Sequence, residues 1–404
     1  MIYLDANSTT RPTERVRAAM ARADEHLWAN PSSVHRAGQE VRREIELARD
    51  RVCSLIAGSK PREIVFTSCG TEALDLAIRG SIAARPGTVP VLITTAVEHA
   101  AIRDLGGELS KRGVVKRELL ALQSDQSGIV DEHAAAEAIA HAGRNSIVVM
   151  QWANNETGAI QPVRAIAAAA RSAGATFICD ATQWVGKRPT FVREPVLQEP
   201  APAEAGHDED LCPCDALICA PHKFHGPKGV GILWLAPTMR LRPTMLGSQE
   251  MGRRGGTENT SAIIGAGVAC EEAAAWLNHP ARPSPREHFA AMRDHFEAQL
   301  LASIPWAKVH RADRLWNTSS IAFPGLEAEA LLLALSERGI YASAGAACSS
   351  GSLEPSPVLL AMGINEPQAH GTLRFSLSRD STEAELTQAV PIITEVVQRL
   401  ARIR

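Results

Sequence analysis

The chain has 404 residues, of which 45% are hydrophobic and 22% are charged, a balance typical of a globular enzyme. This length exceeds the usual size of one hydrophobic core, so we expect two domains. The formal net charge of −3 supplies no broad attraction to nucleic acid or to an anionic membrane, and we expect neither as a partner.

The N-terminal segment lacks the basic and apolar stretches of a signal peptide, and no later run is apolar enough to span a bilayer. The eight cysteines follow no framework-like spacing, which favours free thiols in a reducing compartment. We therefore expect a cytoplasmic protein.

A first helix is predicted at residues 13–26, and from about residue 60 to residue 235 apolar strands alternate with alanine-rich helices such as residues 163–173. This alternation indicates a mostly parallel α/β sheet with helices on both faces. Ligands of such sheets bind beyond the carboxyl ends of the strands. The clearest strands are predicted at residues 63–67, 89–94, 146–151, 176–180 and 215–219.

Residues 194–210 depart from this pattern, because they include three prolines and six acidic residues but few apolar ones. We interpret this segment as an exposed loop or insertion. His207 lies within it, and Cys212 and Cys214 follow it. A C-x-C pair with one histidine is a weak metal signature, so we interpret these residues as an incidental surface loop and expect no metal site.

After about residue 258 the pattern changes to longer helices with short strands near residues 319–323 and 373–377, which indicates a smaller α+β domain. We expect the first dozen residues to pack against it. The predicted division is a large cofactor-binding domain at residues 13–258 and a small domain formed by residues 1–12 and 259–404. Its helices are predicted at residues 261–276, 286–304 and 383–402.

Lys223 follows the strand predicted at residues 215–219 and so lies at the ligand-binding edge of the sheet. Desolvation and cationic neighbours such as His222 and Lys228 would lower its pKa and let it form a Schiff base with a carbonyl-bearing cofactor. The alternative is a surface lysine in a Gly-Pro turn, and this residue taken alone favours that alternative.

Asp180 closes a buried strand, where a carboxylate needs a cationic partner such as the protonated nitrogen of a pyridine ring. Gln183 lies one helical turn further on and would donate to the ring oxygen of the same cofactor. The alternative for Asp180 is a helix N-cap, which is equally well supported.

Gly70 and Thr71 open a helix after the first strand, where backbone N–H groups, the helix dipole and a hydroxyl form a phosphate site. A plain capping turn is the alternative, although Gly70 favours close approach of a ligand. His99 follows the next strand and would stack on a flat ring and move protons, or would be structural.

Asn155 ends a further strand, so its amide points into the same cleft. Arg374 lies in an otherwise apolar strand, where its guanidinium group could bind a substrate carboxylate with two parallel hydrogen bonds. The alternative is an interdomain salt bridge. Cys348 lies among small residues at 343–352 that favour turns over packing. We expect an exposed, movable thiol that attacks a group activated by the cofactor. Together these residues are the parts of a pyridoxal-phosphate site.

With these motifs assembled, the chain resembles the cysteine desulfurases of the NifS/IscS type, and it is closer to the nitrogen-fixation branch. They belong to the class V aminotransferases, which are fold-type I pyridoxal-phosphate enzymes. The resemblance covers nearly the whole chain. It rests on Tyr3-Leu4-Asp5, Thr9-Thr10, Val97-Glu98-His99, Asn154-Asn155-Glu156, Asp180-Ala181-Thr182-Gln183, His222-Lys223 and Arg374-Phe375-Ser376, together with residues 30–35, 66–72, 254–259 and 347–355.

The resemblance implies a seven-stranded, mostly parallel sheet in the large domain. It also implies a homodimer in which Thr257 reaches the partner's cofactor phosphate, and it places His222 and Asn155 among the residues that hold the cofactor. In the implied reaction, Lys223 binds pyridoxal 5'-phosphate, Lys223 and His99 move protons, and Asn155 and Arg374 hold the substrate L-cysteine. Cys348 takes the sulfur as a persulfide, L-alanine leaves, and the sulfur passes to an acceptor such as an iron–sulfur scaffold protein.

The chain departs from the family's pattern in three places. Ala220 stands where serine is common three residues before the lysine, which removes one phosphate hydroxyl and about one neutral hydrogen bond. Ala346 stands where serine is commoner, and the segment 194–210 looks inserted.

Two other functions fit the motifs less well. A lyase acting on selenocysteine would not require Cys348. A sulfur relay or scaffold without catalysis would require Cys348 alone, so the intact set Lys223, Asp180, His99 and Arg374 argues against it.

Overall fold

The computed structural model describes residues 1–193, 210–281, 283–345 and 354–403. The strands of these ranges are β1 (Ile2–Tyr3), β2 (Ile56–Ala57), β3 (Ile64–Thr67), β4 (Val91–Thr94), β5 (Lys116–Leu119), β6 (Ser146–Gln151), β7 (Thr176–Asp180), β8 (Thr190–Phe191), β9 (Ala216–Cys219), β10 (Gly231–Leu235), β11 (Lys308–Val309), β12 (Thr318–Ala322), β13 (Ile340–Tyr341), β14 (Ser343–Ala344) and β15 (Thr372–Ser376).

The helices of the same ranges are α1 (Glu14–His26), α2 (Arg36–Leu55), α3 (Gly70–Ala83), α4 (Ala100–Lys111), α5 (Glu132–Ala142), α6 (Val163–Ala173), α7 (Gln249–Gly252), α8 (Thr260–Leu277), α9 (Pro285–Ser303), α10 (Ala328–Ser336), α11 (Pro357–Ala361), α12 (Glu366–His370) and α13 (Glu383–Ile403). Polar side chains cap the first turns of several, including Thr13 of α1, Asp131 of α5 and Asn259 of α8.

A seven-stranded sheet forms the larger layer, in the order β3-β10-β9-β7-β6-β4-β5. Every pair from β9 to β5 is parallel, and β10 runs antiparallel to both of its neighbours. All six residues of β6 are buried, as expected of a central strand covered on both faces. The predicted α/β fold with a mostly parallel seven-stranded sheet is confirmed.

A second sheet has the order β11-β12-β15-β14, with antiparallel pairing throughout. Helices α9, α10 and α13 pack beside it around a core that includes Phe296, Phe323 and Phe375. The N-terminal segment joins this unit, because β1 pairs with β13 and the amide of Ala6 donates to the carbonyl of Ser376. The smaller α+β unit is therefore present, and the first residues pack against it.

Helix α8 lies next to α1 and α2, and its buried residues belong to the core of the large sheet. The predicted boundary at residues 258 and 259 assigns this helix to the small domain, so the division into domains stays a prediction with α8 at its border. No helix in the described ranges is both long enough and apolar enough to cross a membrane.

The bounds of most predicted elements agree with the structure within one or two residues. The strand predicted from residue 89 begins instead at Val91. Pro90 explains the difference, because proline has no N–H group to donate to a neighbouring strand.

Candidate active site

A cavity of about 260 Å3 lies where several strands of the large sheet end, and residues of the N-terminal segment and of the second sheet close it. Nine of the predicted site residues line this cavity, namely Gly70, Thr71, His99, Asn155, Asp180, Gln183, His222, Lys223 and Arg374. Thr257 does not line it and is exposed to solvent. Cys348 lies outside the described residues, although Gly345, which also lines the cavity, is described.

The start of α3 forms one wall of the cavity. Cys69 caps this helix, since its Sγ accepts from the amide of Glu72 at 3.4 Å. The amides of Gly70 and Thr71 have no acceptor within the helix, because the first N–H groups of a helix precede its hydrogen-bonding ladder. A Cβ on Gly70 would lie 3.4 Å from Cβ of Ala220 and would fill the space beside these donors. The capping turn and a cradle for an anion are therefore both present.

Lys223 lies on a short 3₁₀ turn directly after β9. Its Nζ donates to the carbonyl oxygens of Asn7 at 2.9 Å and Ser8 at 2.7 Å. The turn is tight, because a Cβ on Gly226 would come within 2.5 Å of Cβ of Pro221. Lys223 is thus held in the cavity wall by backbone acceptors, and it does not lie on the surface as the alternative interpretation required.

His222 is mostly buried, and its Nδ1 lies 3.2 Å from Oγ1 of Thr9. Burial, followed by the charges of Lys223 and Lys228, lowers the pKa of His222 to about 4. The imidazole is therefore uncharged at neutral pH and adds no further positive charge beside Lys223.

Asp180 is buried, with 6% of its surface exposed, at the end of β7. Its Oδ1 accepts from the amide of Thr182 at 3.0 Å, the turn-capping contact that the sequence left as an alternative. No lysine, arginine or histidine of the described ranges forms an ion pair with it. A buried carboxylate without a cation faces a cavity, and this arrangement fits a ligand that brings its own positive charge.

His99 caps the first turn of α4, because its Nδ1 accepts from the amide of Ala101 at 3.2 Å. In the neutral ring this acceptor role places the proton on Nε2. His99 therefore has the structural role that the sequence offered as an alternative, and the same side chain also lines the cavity.

Arg374 on β15 is buried with only 2% exposed, and its guanidinium reaches the cavity from the second sheet. Its Nη2 lies 2.6 Å from Oδ1 of Asp5 and 2.7 Å from Oγ of Ser8, and its Nη1 donates to the carbonyl of Asn155 at 2.9 Å. Arg374 thus forms a salt bridge, but its partner Asp5 belongs to the same smaller unit, so the bridge is not the interdomain one offered as the alternative. Two buried atoms beside it have no hydrogen-bond partner in the described ranges, Nε of Arg374 and Oδ1 of Asn155. Buried polar atoms in native proteins usually have a partner, so these two are exceptions at the edge of the cavity.

Several lining residues were not predicted from the sequence, chief among them Asn7 and Ser8 of the N-terminal segment. Asn7 contributes its carbonyl to Lys223 and to Nε2 of Gln183, which donates at 3.0 Å. The sequence placed this segment against the small domain without placing it in the site. The motif of residues 3–5 and 9–10, which flanks Asn7, was the signal for its role.

The interpretation of Cys212 and Cys214 as part of a surface loop was wrong. Both are buried, and Leu211 forms a bridge with Phe191 that draws this stretch into the core beside Cys179. Burial raises the pKa of all three thiols. Within the described ranges no group of three or more histidine, cysteine or acidic side chains could hold a metal. His207 and most of the segment 194–210 lie outside those ranges.

The family model of the class-V aminotransferases matches residues 2–195 and 204–388 of the chain. The unmatched residues 196–203 fall within the segment 194–210 that the sequence predicted to be an insertion. A cysteine desulfurase of Enterobacter agglomerans is 41% identical over 99% of this chain and 93% of the relative. The cysteine desulfurase NifS of Azotobacter vinelandii is 40% identical over 100% of this chain and 94% of the relative.

Among solved structures, a NifS-like protein superimposes with a TM-score of 0.85 at 30% identity, covering 99% of this chain and all of the other. The chain therefore belongs to the class-V aminotransferase family. The predicted resemblance to cysteine desulfurases, including a NifS protein, is confirmed.

Proposed function

We propose that this protein is a pyridoxal-phosphate-dependent cysteine desulfurase that takes sulfur from L-cysteine and releases L-alanine. The observation that carries the proposal is the buried carboxylate of Asp180, which has no ion-pair partner among the described residues, in the same cavity as the amine of Lys223. Identity of about 40% to cysteine desulfurases along the whole chain supports the same activity and cofactor.

The residues present fit the cofactor. When bound, pyridoxal phosphate supplies a carbonyl for an amine and an electron-poor ring that stabilises negative charge on the substrate carbon. Gly70 and Thr71 would hold its phosphate with backbone N–H groups and a hydroxyl, and Asp180 would pair with its ring nitrogen. The Nε2 group of Gln183 would donate to its ring oxygen.

The remaining side chains serve the substrate and the protons. Lys223 is the amine that holds the cofactor and afterwards moves protons, with His99 as its partner. The substrate carboxylate would bind at the guanidinium of Arg374, which lines the cavity, and beside Asn155. His222, uncharged, contributes to the cofactor site without opposing the positive charge of the ring.

Cys348 is the proposed sulfur acceptor. As a thiolate it would attack the sulfur of the bound L-cysteine, so that an S–S bond forms while the C–S bond breaks. The electron pair of the C–S bond would stay on the substrate carbon, which takes up a proton to give L-alanine, and the persulfide sulfur would then pass to a second protein. Gly345, which precedes Cys348 by three residues in the sequence, lines the cavity, and this supports access of Cys348 to the substrate.

The wider setting is proposed on the resemblance alone. We infer a homodimer in which Thr257, exposed in the single chain, reaches the partner's cofactor phosphate. The sulfur acceptor would be an iron–sulfur scaffold protein, and the compartment would be the cytoplasm.

The test is release of alanine and sulfide from L-cysteine in the presence of a reductant, in wild type and in Cys348→Ala. We expect equal amounts of both products from wild type and neither from the variant. Cys69→Ser is the matched control, because Cys69 is an exposed thiol that lines the cavity and serine keeps its capping role.

Activity that survives Cys348→Ala would refute the persulfide step and favour a lyase. Loss of activity in Cys69→Ser instead would move the sulfur acceptor to Cys69. A wild-type protein that binds no pyridoxal phosphate would refute the function as a whole.

A further inference from the structure

Lys187 is a second lysine beside the cavity, and it is buried, with 4% of its surface exposed. Its Nζ donates to Oδ1 of Asn7 at 2.8 Å and to Oε1 of Gln183 at 2.6 Å. No carboxylate of the described ranges forms an ion pair with it. Burying an ammonium group without a counter-charge has a high free-energy cost, so the surroundings of Lys187 disfavour its charged form.

Burial is the main cause that lowers the pKa of Lys187 well below its ordinary value, and the charges of Lys223 and Arg374 act in the same direction. The two hydrogen bonds of Nζ both go to neutral side-chain oxygens, one of Asn7 and one of Gln183.

The contact with Gln183 decides which way the Gln183 amide faces. Since Oε1 accepts from Lys187, the NH2 group takes the opposite position, where one of its hydrogens reaches the carbonyl of Asn7. The second hydrogen of Nε2 remains for the cavity that Gln183 lines. With the amide reversed, an oxygen would face the ring oxygen of the cofactor and repel it.

Lys187 also helps to hold the side chain of Asn7. Its Oδ1 accepts from Lys187 and from Nδ2 of Asn317 at 2.9 Å, and its main-chain carbonyl accepts from Lys223. Lys187 therefore contacts Gln183, the proposed amide donor to the cofactor, and Asn7, whose main-chain carbonyl accepts from Lys223.

We propose that Lys187 is a positioning residue that, through Oε1 of Gln183, fixes the side-chain amide so that its N–H group faces the cofactor. This inference rests on the proposed pyridoxal-phosphate function. It assigns Lys187 no contact with cofactor or substrate, only control of a group that makes one.

The experiment is titration of cofactor-free protein with pyridoxal phosphate, followed by absorbance, in a double-mutant cycle of Lys187→Met and Gln183→Leu. Methionine keeps the length of the side chain and removes the donor. We expect each single variant to raise the Kd of the cofactor about 5- to 30-fold, as for one or two hydrogen bonds. In the Gln183→Leu background, Lys187→Met should add less than about twofold.

Lys187→Met leaves Oε1 of Gln183 without a donor, so the thermal midpoint of each cofactor-free variant is measured alongside. The double variant removes that orphaned acceptor and provides a folded reference if the single variant is unstable. Lys308→Met, the same change at an exposed lysine, is the matched control and should leave the Kd unchanged.

Equal effects of Lys187→Met in both backgrounds, or no effect in either, would overturn the positioning role while leaving the proposed function intact. Wild-type protein that fails to bind pyridoxal phosphate would overturn the proposed function, and with it this inference. A shift of the visible absorption band of the bound cofactor that is shared by both single variants would support it.

Discussion

Ala220→Ser is the substitution that tests the anion cradle most directly. Ala220 follows β9 and faces the start of α3, since its Cβ lies 3.4 Å from where a Cβ of Gly70 would be. A serine hydroxyl at this position would join the backbone donors of Gly70 and Thr71. It would restore the hydroxyl that resembling enzymes commonly carry three residues before the lysine.

The substitution has two expected effects of opposite sign, one on the stability of the cofactor-free protein and one on its affinity for the cofactor. In the cofactor-free protein Ala220 is only 2% exposed, so a hydroxyl there loses water and destabilises the fold by about 1 kcal/mol. With the phosphate bound, a hydrogen bond to a charged acceptor contributes about 1.5–3 kcal/mol. We expect the Kd for pyridoxal phosphate to fall about tenfold, corresponding to about 1.4 kcal/mol.

The assay is absorbance titration of the cofactor-free protein, with the thermal midpoint measured before and after loading. Ala153→Ser is the matched control, because Ala153 is also buried and lines the same cavity but follows β6, away from α3. A lower midpoint without cofactor together with tighter binding is the expected pair of results. Unchanged affinity in Ala220→Ser, or equal tightening in Ala153→Ser, would refute the placement of the phosphate at α3.

Three further outcomes are expected. Lys223→Ala should abolish covalent attachment of the cofactor, and a Schiff base that borohydride still reduces would contradict its role. Arg374→Lys should raise the KM for L-cysteine about tenfold with a smaller change in kcat, because lysine cannot form a two-pronged contact with a carboxylate; an unchanged KM would remove Arg374 from the substrate site. His222→Asn should reduce the pH dependence of the free energy of unfolding between pH 4 and pH 6.5. In wild type the His222 pKa is about 4 in the folded state, so the unfolded state binds more protons in this range and the protein loses stability as the pH falls. An equal loss of stability in the variant would contradict this role of His222.

The central strands of the large sheet were predictable because each is a short apolar run with helical sequence on either side. Strand β5 (Lys116–Leu119) was missed because it lies at the edge of the sheet and three of its four residues are charged, so it lacks the apolar run of a buried strand. The reversed direction of β10 was also not predictable, because a buried strand is equally apolar in either orientation.

Site residues that follow strands of the large sheet were predictable, because a parallel sheet brings those positions to one edge. Asn7 was not, because its partners are far away in sequence. Its Nδ2 donates to Oγ1 of Thr318 at 2.9 Å across a separation of 311 residues. Lys187 was missed because its role depends on burial and on a side-chain amide four residues earlier, neither of which a lysine in a turn reveals.

The role of Arg374 could not be decided from the sequence alone. The sequence offered a substrate carboxylate and an interdomain salt bridge as alternatives, whereas the salt bridge that forms joins Arg374 to Asp5 of the same smaller unit and does not exclude a ligand. Asp5 holds one end of the guanidinium at 2.6 Å, while Nε stays buried without a partner in the described ranges. A group that is already oriented by Asp5 loses less conformational freedom when a ligand binds. The salt bridge therefore prepares the arginine for a carboxylate, so that the structural role supports the proposed binding role.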